Sequence, residues 1–322
     1  GGRVREEALP RVDESPDDDA LLGSPVASVV DRVGFDDALS LGIASNSCGR
    51  CLPIDSRYVA DLRARWFQVD VRDATPLVHE MRRLKDSSEI DDIRRSLAVT
   101  KEAFDAGLAV LRPGAIERDV EVEIASRYRS AGGTHAFDPI VGSGPNACLL
   151  HYHENARAIE SGELVLIDSG VMLAGYAADI TRTVPASGTF SERQRGLYEI
   201  VLEAQEAAIE ACAPGVPPGD VHAAAWEVID RAGHGEAFPH GTSHHLGRDT
   251  HDVGDRYAPL APGCVITVEP GIYLPDEGIG IRIEDDVRIT EDGREVLSTA
   301  FPKAVDEVGA WIAAARDGKV EG

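Results

Sequence analysis

The chain has 322 residues, 43% of them hydrophobic and 27% charged, ordinary proportions for a globular protein with ample core. Its 56 acidic residues outnumber 32 basic ones, giving a formal net charge of −24. That balance argues against nucleic-acid partners, whose phosphate backbone such a surface repels; it suits a cationic ligand end such as a peptide amino terminus, or simply solubility or a salty environment.

No run of about 18 apolar residues occurs, so no membrane span is expected. Five scattered cysteines do not make a disulfide framework, which points to a reducing cytoplasm. Cys48 and Cys51 have the spacing of a redox or zinc pair but lack a partner pair. The start, Gly1 to Arg5, lacks Met and an apolar signal core and reads as a trimmed chain or a fragment.

Residues 1–74 are acidic and mixed, with loop signals at Ser15-Pro16 and Ser24-Pro25 and short apolar pieces at 26–30 and 66–71. This is the signature of a small α/β piece. From Asp86 the signal sharpens. Asp86 and Glu89 form a capping-box pair, and Ile90, Ile93, Leu97, Phe104, Leu108 and Leu111 mark one helical face that Pro113-Gly114 terminates. A second helix carries Val120, Ile124 and Tyr128 and stops at Gly132-Gly133. The plan then recurs. Ser191 and Gln194 cap a helix with Leu197, Ile200, Val201, Ala204 and Ala208 on its apolar face, ended by Pro214-Gly215, and another runs from Asp220 to Ala232-Gly233.

Shifting the chain by 101 residues superposes these pairs, with eight identities in 25 ungapped positions, among them Pro113-Gly114 on Pro214-Gly215 and Asp119-Val120 on Asp220-Val221. Two half-domains of one helix–helix–strand plan are therefore expected within one unit.

Each helix pair precedes a predicted hairpin that carries two acids. The run 164–167 ends at Asp168, and the return strand 176–184 holds Asp179; a turn centred on Leu173-Ala174 places 168 opposite 179. The run 265–268 ends at Glu269, and 280–283 returns into Glu284; a turn centred on Asp276-Glu277 places 269 opposite 284. Opposed side chains on antiparallel strands have Cβ atoms about 5 Å apart. Carboxylates so close at the ends of apolar strands repel one another and lose solvation, and cations relieve both penalties. Two such pairs suit two divalent ions about 3.5–4 Å apart. A histidine ligand is expected from the segment 240–251, where His240, His244, His245 and His251 are the candidates. An oxygen-rich set with one imidazole favours Mn²⁺ or a similar ion over a structural zinc.

The stretches LVLIDSG (164–170), GYAADITRTVP (175–185), HGTSHHLG (240–247), THDVG (250–254), TVEPGIY (267–273) and GIGIRIEDD (278–286) resemble the pita-bread metallopeptidases, specifically the aminopeptidase P branch. The resemblance runs from about Pro76, beginning with LVHEMRRLKDSSEI, to the C terminus. It implies an α+β pita-bread fold with halves related by a pseudo-two-fold, spanning 75–322, preceded by a short or truncated N-terminal α/β domain at 1–74.

It further implies a dinuclear Xaa-Pro aminopeptidase that releases the residue before a proline. The metal would be Mn²⁺, with Co²⁺, Zn²⁺ and Fe²⁺ as alternatives, and the assembly a homodimer or homotetramer. The implied ligands are Asp168 on one metal, Asp179 and Glu284 bridging, and His244 with Glu269 on the other metal. Glu269 would also handle the proton of the attacking water. His151, in LLHYHEN (149–155), lies on the proline side of the scissile bond; His240 and His251 flank the bound peptide; Arg282 supports the acids; Tyr273 lies near the pocket. His153 and His245 are less strongly marked, His245 replacing an aromatic pocket-wall residue. The rival readings are a prolidase of the same fold, a metal-independent creatinase-like hydrolase, and a pita-bread binding module.

Overall fold

The computed structural model describes residues 54–66, 68 and 75–318; the apolar piece at 26–30, nearly all of that at 66–71, and the Cys48/Cys51 pair lie outside them. The chain divides into two compact units, residues 1–78 and 79–322. In the first, the described structure is helix α1, Ile54–Arg65, and the first residues of the next helix.

Helix α2, Thr75–Arg83, leads into the second unit. Helix α3, Ser87–Val110, starts at Asp86, whose carboxylate accepts from the backbone of Ser88 and Glu89 while Glu89 reaches back to the Asp86 amide. Ile90, Ile93, Leu97, Phe104 and Leu108 face the core, as their 3.6-residue spacing requires. Helix α4, Glu117–Ser130, packs against α3.

Then come β1 (Thr134–His135), β2 (Ile140–Ser143), a 3₁₀ turn (Gly144–Cys148), β3 (Leu164–Ser169), β4 (Val171–Leu173), β5 (Tyr176–Ala177) and β6 (Ile180–Pro185). The second half repeats the plan with α5 (Glu192–Ala211) and α6 (Pro218–Arg231), followed by β7 (Val265–Val268), β8 (Gly271–Leu274), β9 (Ile279–Arg282), β10 (Asp285–Ile289) and β11 (Arg294–Val296). Helix α7, Val305–Arg316, closes the described chain, its Trp311 ring stacked on Phe104 with centroids 6.3 Å apart.

The repeat is exact in the second helix of each half: α4 and α6 are both 14 residues long and offset by 101, whereas α3 has 24 residues and α5 has 20. The second of them begins at Pro218 rather than Asp220, because Pro is well suited to a helix's first turn, where its missing N–H costs no hydrogen bond. Among the described residues every strand pair is antiparallel, in the orders β1-β4-β5, β2-β3-β6, β11-β10-β7 and β8-β9. The halves meet where the Glu284 amide donates to the Thr181 carbonyl (3.1 Å) and the Arg282 amide donates to Thr183 Oγ1 (3.1 Å).

One register differs from the expectation. Asp168 pairs with Thr181, not Asp179, and the return strand is broken at 178–179 into β5 and β6. The turn is centred on Ala174-Gly175, since Leu173 pairs with Tyr176. Both central residues have positive φ, +54° and +82°, the requirement of a type I′ hairpin turn. Moving a turn centre by one residue moves the pairing by two, so the face is unchanged: Asp179 becomes a diagonal neighbour of Asp168 on the same side of the sheet. The second hairpin keeps the expected register, with Gly271 opposite Arg282 and the loop closed by Gly278 at φ +62°.

Ala174 holds a left-handed conformation that disfavours a β-carbon by about 1–2 kcal/mol, a penalty that Asn bears better. Ala174→Asn should therefore raise stability by up to about 1 kcal/mol, read as a higher urea midpoint at unchanged m. A lower midpoint would overturn the I′ assignment.

Candidate metal centre

Strand β3 delivers Asp168 to its C-terminal end, and the break between β5 and β6 delivers Asp179 beside it. Glu269 follows β7, and Glu284 lies between β9 and β10. His244 comes from an extended segment lying antiparallel to β7: the Thr267 amide donates to the His244 carbonyl (2.9 Å), and the Glu269 amide donates to the Thr242 carbonyl (2.9 Å). Residues in an extended segment alternate sides. His244 therefore faces the acids, while His245, bridged to Ile266, is buried beside Lys85 and Asp252.

The ligand atoms of Asp179, His244 and Glu284 all lie within 4.8 Å of one another. His244 Nε2 is 3.4 Å from Asp179 Oδ2 and 3.6 Å from Glu269 Oε1. Its Nδ1 is 3.0 Å from the His245 carbonyl. A carbonyl only accepts, so Nδ1 carries a hydrogen and Nε2 is the ring nitrogen directed at the acids.

Burial, followed by the carboxylates of Asp168, Asp286 and Glu269, pushes the Asp179 pKa well up; burial, followed by Asp179 and Glu269, does the same to Glu284. Burial also raises Glu269, although His244 and Arg282 oppose it. The Glu269 side chain stays 19% exposed, which leaves the centre open to solvent on that side.

Asp168 is bound at Oδ2 by Arg282, while its buried Oδ1 has no partner among the described residues. Crowded buried carboxylates, an orphaned carboxylate oxygen and an imidazole nitrogen aimed among them together fit divalent cations.

Arg282 is fixed by three contacts: Nη2 on Asp168, Nε on Thr181 Oγ1 (3.1 Å) and Nη1 on Tyr273 Oη (2.9 Å). Desolvation opposes its charge, yet Tyr273, Asp168, Glu269 and Glu284 hold its pKa well above the ordinary value. Burial lifts the Tyr273 pKa to about 12 despite Arg282. His240 Nδ1 donates to the Gly241 carbonyl (2.8 Å), so its Nε2 accepts from Tyr273 Oη (2.8 Å). The hydrogen bonds thus run from Arg282 through Tyr273 to His240.

His240 is neutral, its pKa pushed down to about 4 chiefly by desolvation. The His251 ring lies 4.3 Å from the His244 ring, and its pKa is also pushed to about 4 by desolvation, then by His244 and His151. His151, exposed in a turn, is near enough to His240 and His251 to influence both. His153 is exposed and its Nδ1 meets the His151 carbonyl.

Sequence reasoning missed Thr181, which donates to Glu284 Oε2 (2.6 Å), and Asp286, which accepts the Asp179 amide (3.3 Å). A signal existed for the first: Thr181 lies two residues beyond Asp179, on the same face of the strand.

The sequence pattern of metallopeptidase family M24 matches residues 91–291. The chain belongs to that family. It is 42% identical over 279 residues to the Xaa-Pro aminopeptidase of Escherichia coli strain K12, covering 76% of this chain and 62% of the relative. It is 37% identical over 271 residues to Xaa-Pro aminopeptidase 1 of Streptomyces coelicolor, covering 73% and 55%. The chain thus spans less than two thirds of these relatives.

Among solved structures, zinc-substituted E. coli aminopeptidase P in complex with product aligns with a TM-score of 0.75 at 36% identity, over 84% of this chain and 70% of that one. Pseudomonas aeruginosa aminopeptidase PepP aligns at 0.76 and 37%, over 84% and 70%. This M24 chain has their pita-bread fold.

Divalent cations should stabilise this M24 unit by about 2.7 kcal/mol at a hundredfold excess over Kd. Asp179→Asn should abolish most of that gain, yet match or exceed wild type in EDTA, because a neutral amide removes the mutual repulsion. Thermal melts with and without Mn²⁺ report both effects. A variant weakened in EDTA but still fully metal-responsive would contradict the assignment.

Proposed function

We propose that the chain carries a dinuclear Xaa-Pro aminopeptidase, with residues 75–322 forming the catalytic domain and 1–74 belonging to an N-terminal domain. The observation that carries this reading is one buried centre in which Asp179, His244 and Glu284 converge, Glu269 and Asp168 adjoin, and Arg282, Tyr273 and His240 form a hydrogen-bonded wall. The activities named for the E. coli and Streptomyces relatives support it.

Asp168, Asp179, His244, Glu269 and Glu284 would hold the ions, Mn²⁺ foremost given four carboxylates and one imidazole. Bound divalent ions activate water and polarise the scissile carbonyl. Glu269, raised in pKa and open to solvent, takes and returns the proton of the attacking water. His151 and His251 face the substrate and either stabilise the developing oxyanion or protonate the leaving proline nitrogen, which carries no hydrogen in the substrate and must gain one to depart. Neutral His240, backed by Tyr273 and Arg282, flanks the bound peptide. The acidic surface attracts the substrate's ammonium end.

No described helix is long and apolar enough to cross a membrane, and Cys148, Cys212 and Cys264 are free, in keeping with a reducing cytoplasm. A dimer or tetramer belongs to the same reading.

The test compares Xaa-Pro-Xaa tripeptides with Xaa-Pro dipeptides, with and without Mn²⁺. Metal-dependent tripeptide cleavage is expected. Cleavage of dipeptides alone would make the protein a prolidase; metal-independent or absent turnover would favour the creatinase-like or binding-module readings. Glu284→Ala should lower kcat by about a hundred- to a thousandfold, the scale of losing one charge-stabilising group, with circular dichroism unchanged. Near-normal rates would refute a shared ligand at 284.

A further inference from the structure

The segment 77–90 resembles the family yet contributes no ligand, and its Arg82 and Lys85 point to a separate task. Lys85 Nζ is 3.0 Å from Asp252 Oδ2, with both side chains fully buried. Arg82 Nη2 is 2.5 Å from Asp252 Oδ1 and 2.6 Å from Asp249 Oδ2. These two acids flank His251 in the chain, at positions −2 and +1.

The same loop is tied further. The Asp252 amide donates to the His245 carbonyl (2.9 Å), the Gly247 amide to the Asp249 carbonyl (3.1 Å), and Thr250 Oγ1 to the Ala136 carbonyl (3.2 Å). Gly247 makes the close approach possible, since a β-carbon there would collide with the Asp252 carboxylate and the Lys85 side chain. Among the described residues the His251 ring makes no hydrogen bond of its own. Its place beside His244 is therefore set by the anchoring on either side of it.

Resting on the proposed function, we infer that Arg82 and Lys85 are positioning residues that clamp Asp249 and Asp252 and thereby hold His251 at the reacting bond. Stability alone is a poor reason for this arrangement. Desolvating Lys85 and Asp252 costs about as much as their attraction returns, and apolar residues of similar volume would fill the space at no loss. The ion pairs fix direction instead. Each carboxylate oxygen of Asp252 meets a different base, so the loop cannot rotate about its own axis without breaking one contact.

The test uses the Mn²⁺-loaded full chain and a double-mutant cycle of Lys85→Met with His251→Ala. Lys85→Met should lower kcat on a tripeptide by about ten- to a hundredfold, the scale of a sub-ångström to ångström misplacement, with metal content unchanged. In the His251→Ala background it should change kcat by no more than about twofold. Equal losses in both backgrounds would overturn the inference, since a general structural effect does not depend on His251.

Arg82→Met, at the more exposed end of the clamp, carries the same cycle if Lys85→Met fails to fold. Amide hydrogen exchange needs no activity, so it separates failure of this inference from failure of the proposed reaction. Either variant should speed exchange across 246–253 while α3 to α6 keep their protection. Unchanged exchange in that segment would refute the clamp whatever the protein cleaves.

Discussion

The centre is governed by a deficit of positive charge. Asp168, Asp179, Glu269 and Glu284 face one another at the ends of apolar strands, with Asp286 buried behind Asp179, and the guanidinium placed among them belongs to Arg282. Burying each ionised carboxylate costs several kcal/mol, and like charges add repulsion. One guanidinium cannot balance four carboxylates, so without cations the raised pKa values of Asp179, Glu269 and Glu284 favour taking up protons. The surrounding structure suits that demand. Thr181 donates to Glu284, His244 turns its Nε2 inward, and Arg282 covers one oxygen of Asp168 while the other stays unpartnered among the described residues.

The internal repeat delivers the acids in pairs. Helices α4 and α6 keep the 101-residue offset, and β3 and β7 start at the same offset, because both helices pack on the core that the strands share. The hairpin tips diverge: a two-residue turn at Ala174-Gly175 in one half and a four-residue loop ending at Gly278 in the other. Tips lie away from the packed faces, so their lengths can change. Alternation along a strand cannot, because a slip of one residue would turn a carboxylate to the other side of the sheet. The pairing in the first hairpin is two residues from the simplest expectation, and the acids still share a face.

Around the acids the structure sets a second, more neutral layer. The pKa values of His240 and His251 are pushed down, chiefly by desolvation, beside a centre that is strongly acidic. The ordered donation from Arg282 through Tyr273 to His240 fixes one imidazole by hydrogen bonds, whereas His251 is placed by the loop that carries it. Two histidines of similar pKa are thus held by different means, one through its ring and one through its backbone neighbours.

Local signals in the sequence determined a great deal here: the caps at Asp86 and Ser191, the apolar faces of α3 and α5, the strand runs ending at Asp168 and Glu269, and the paired acids that require cations. These follow from periodicity and from chemistry carried by single residues. Tertiary structure alone decided the two-residue register of the first hairpin, since that rests on Ala174 accepting a left-handed backbone. It also decided that Arg82 and Lys85 close on Asp249 and Asp252 about 170 residues away. Contacts so distant in sequence leave no periodic trace, because they arise only when separately formed elements are packed together.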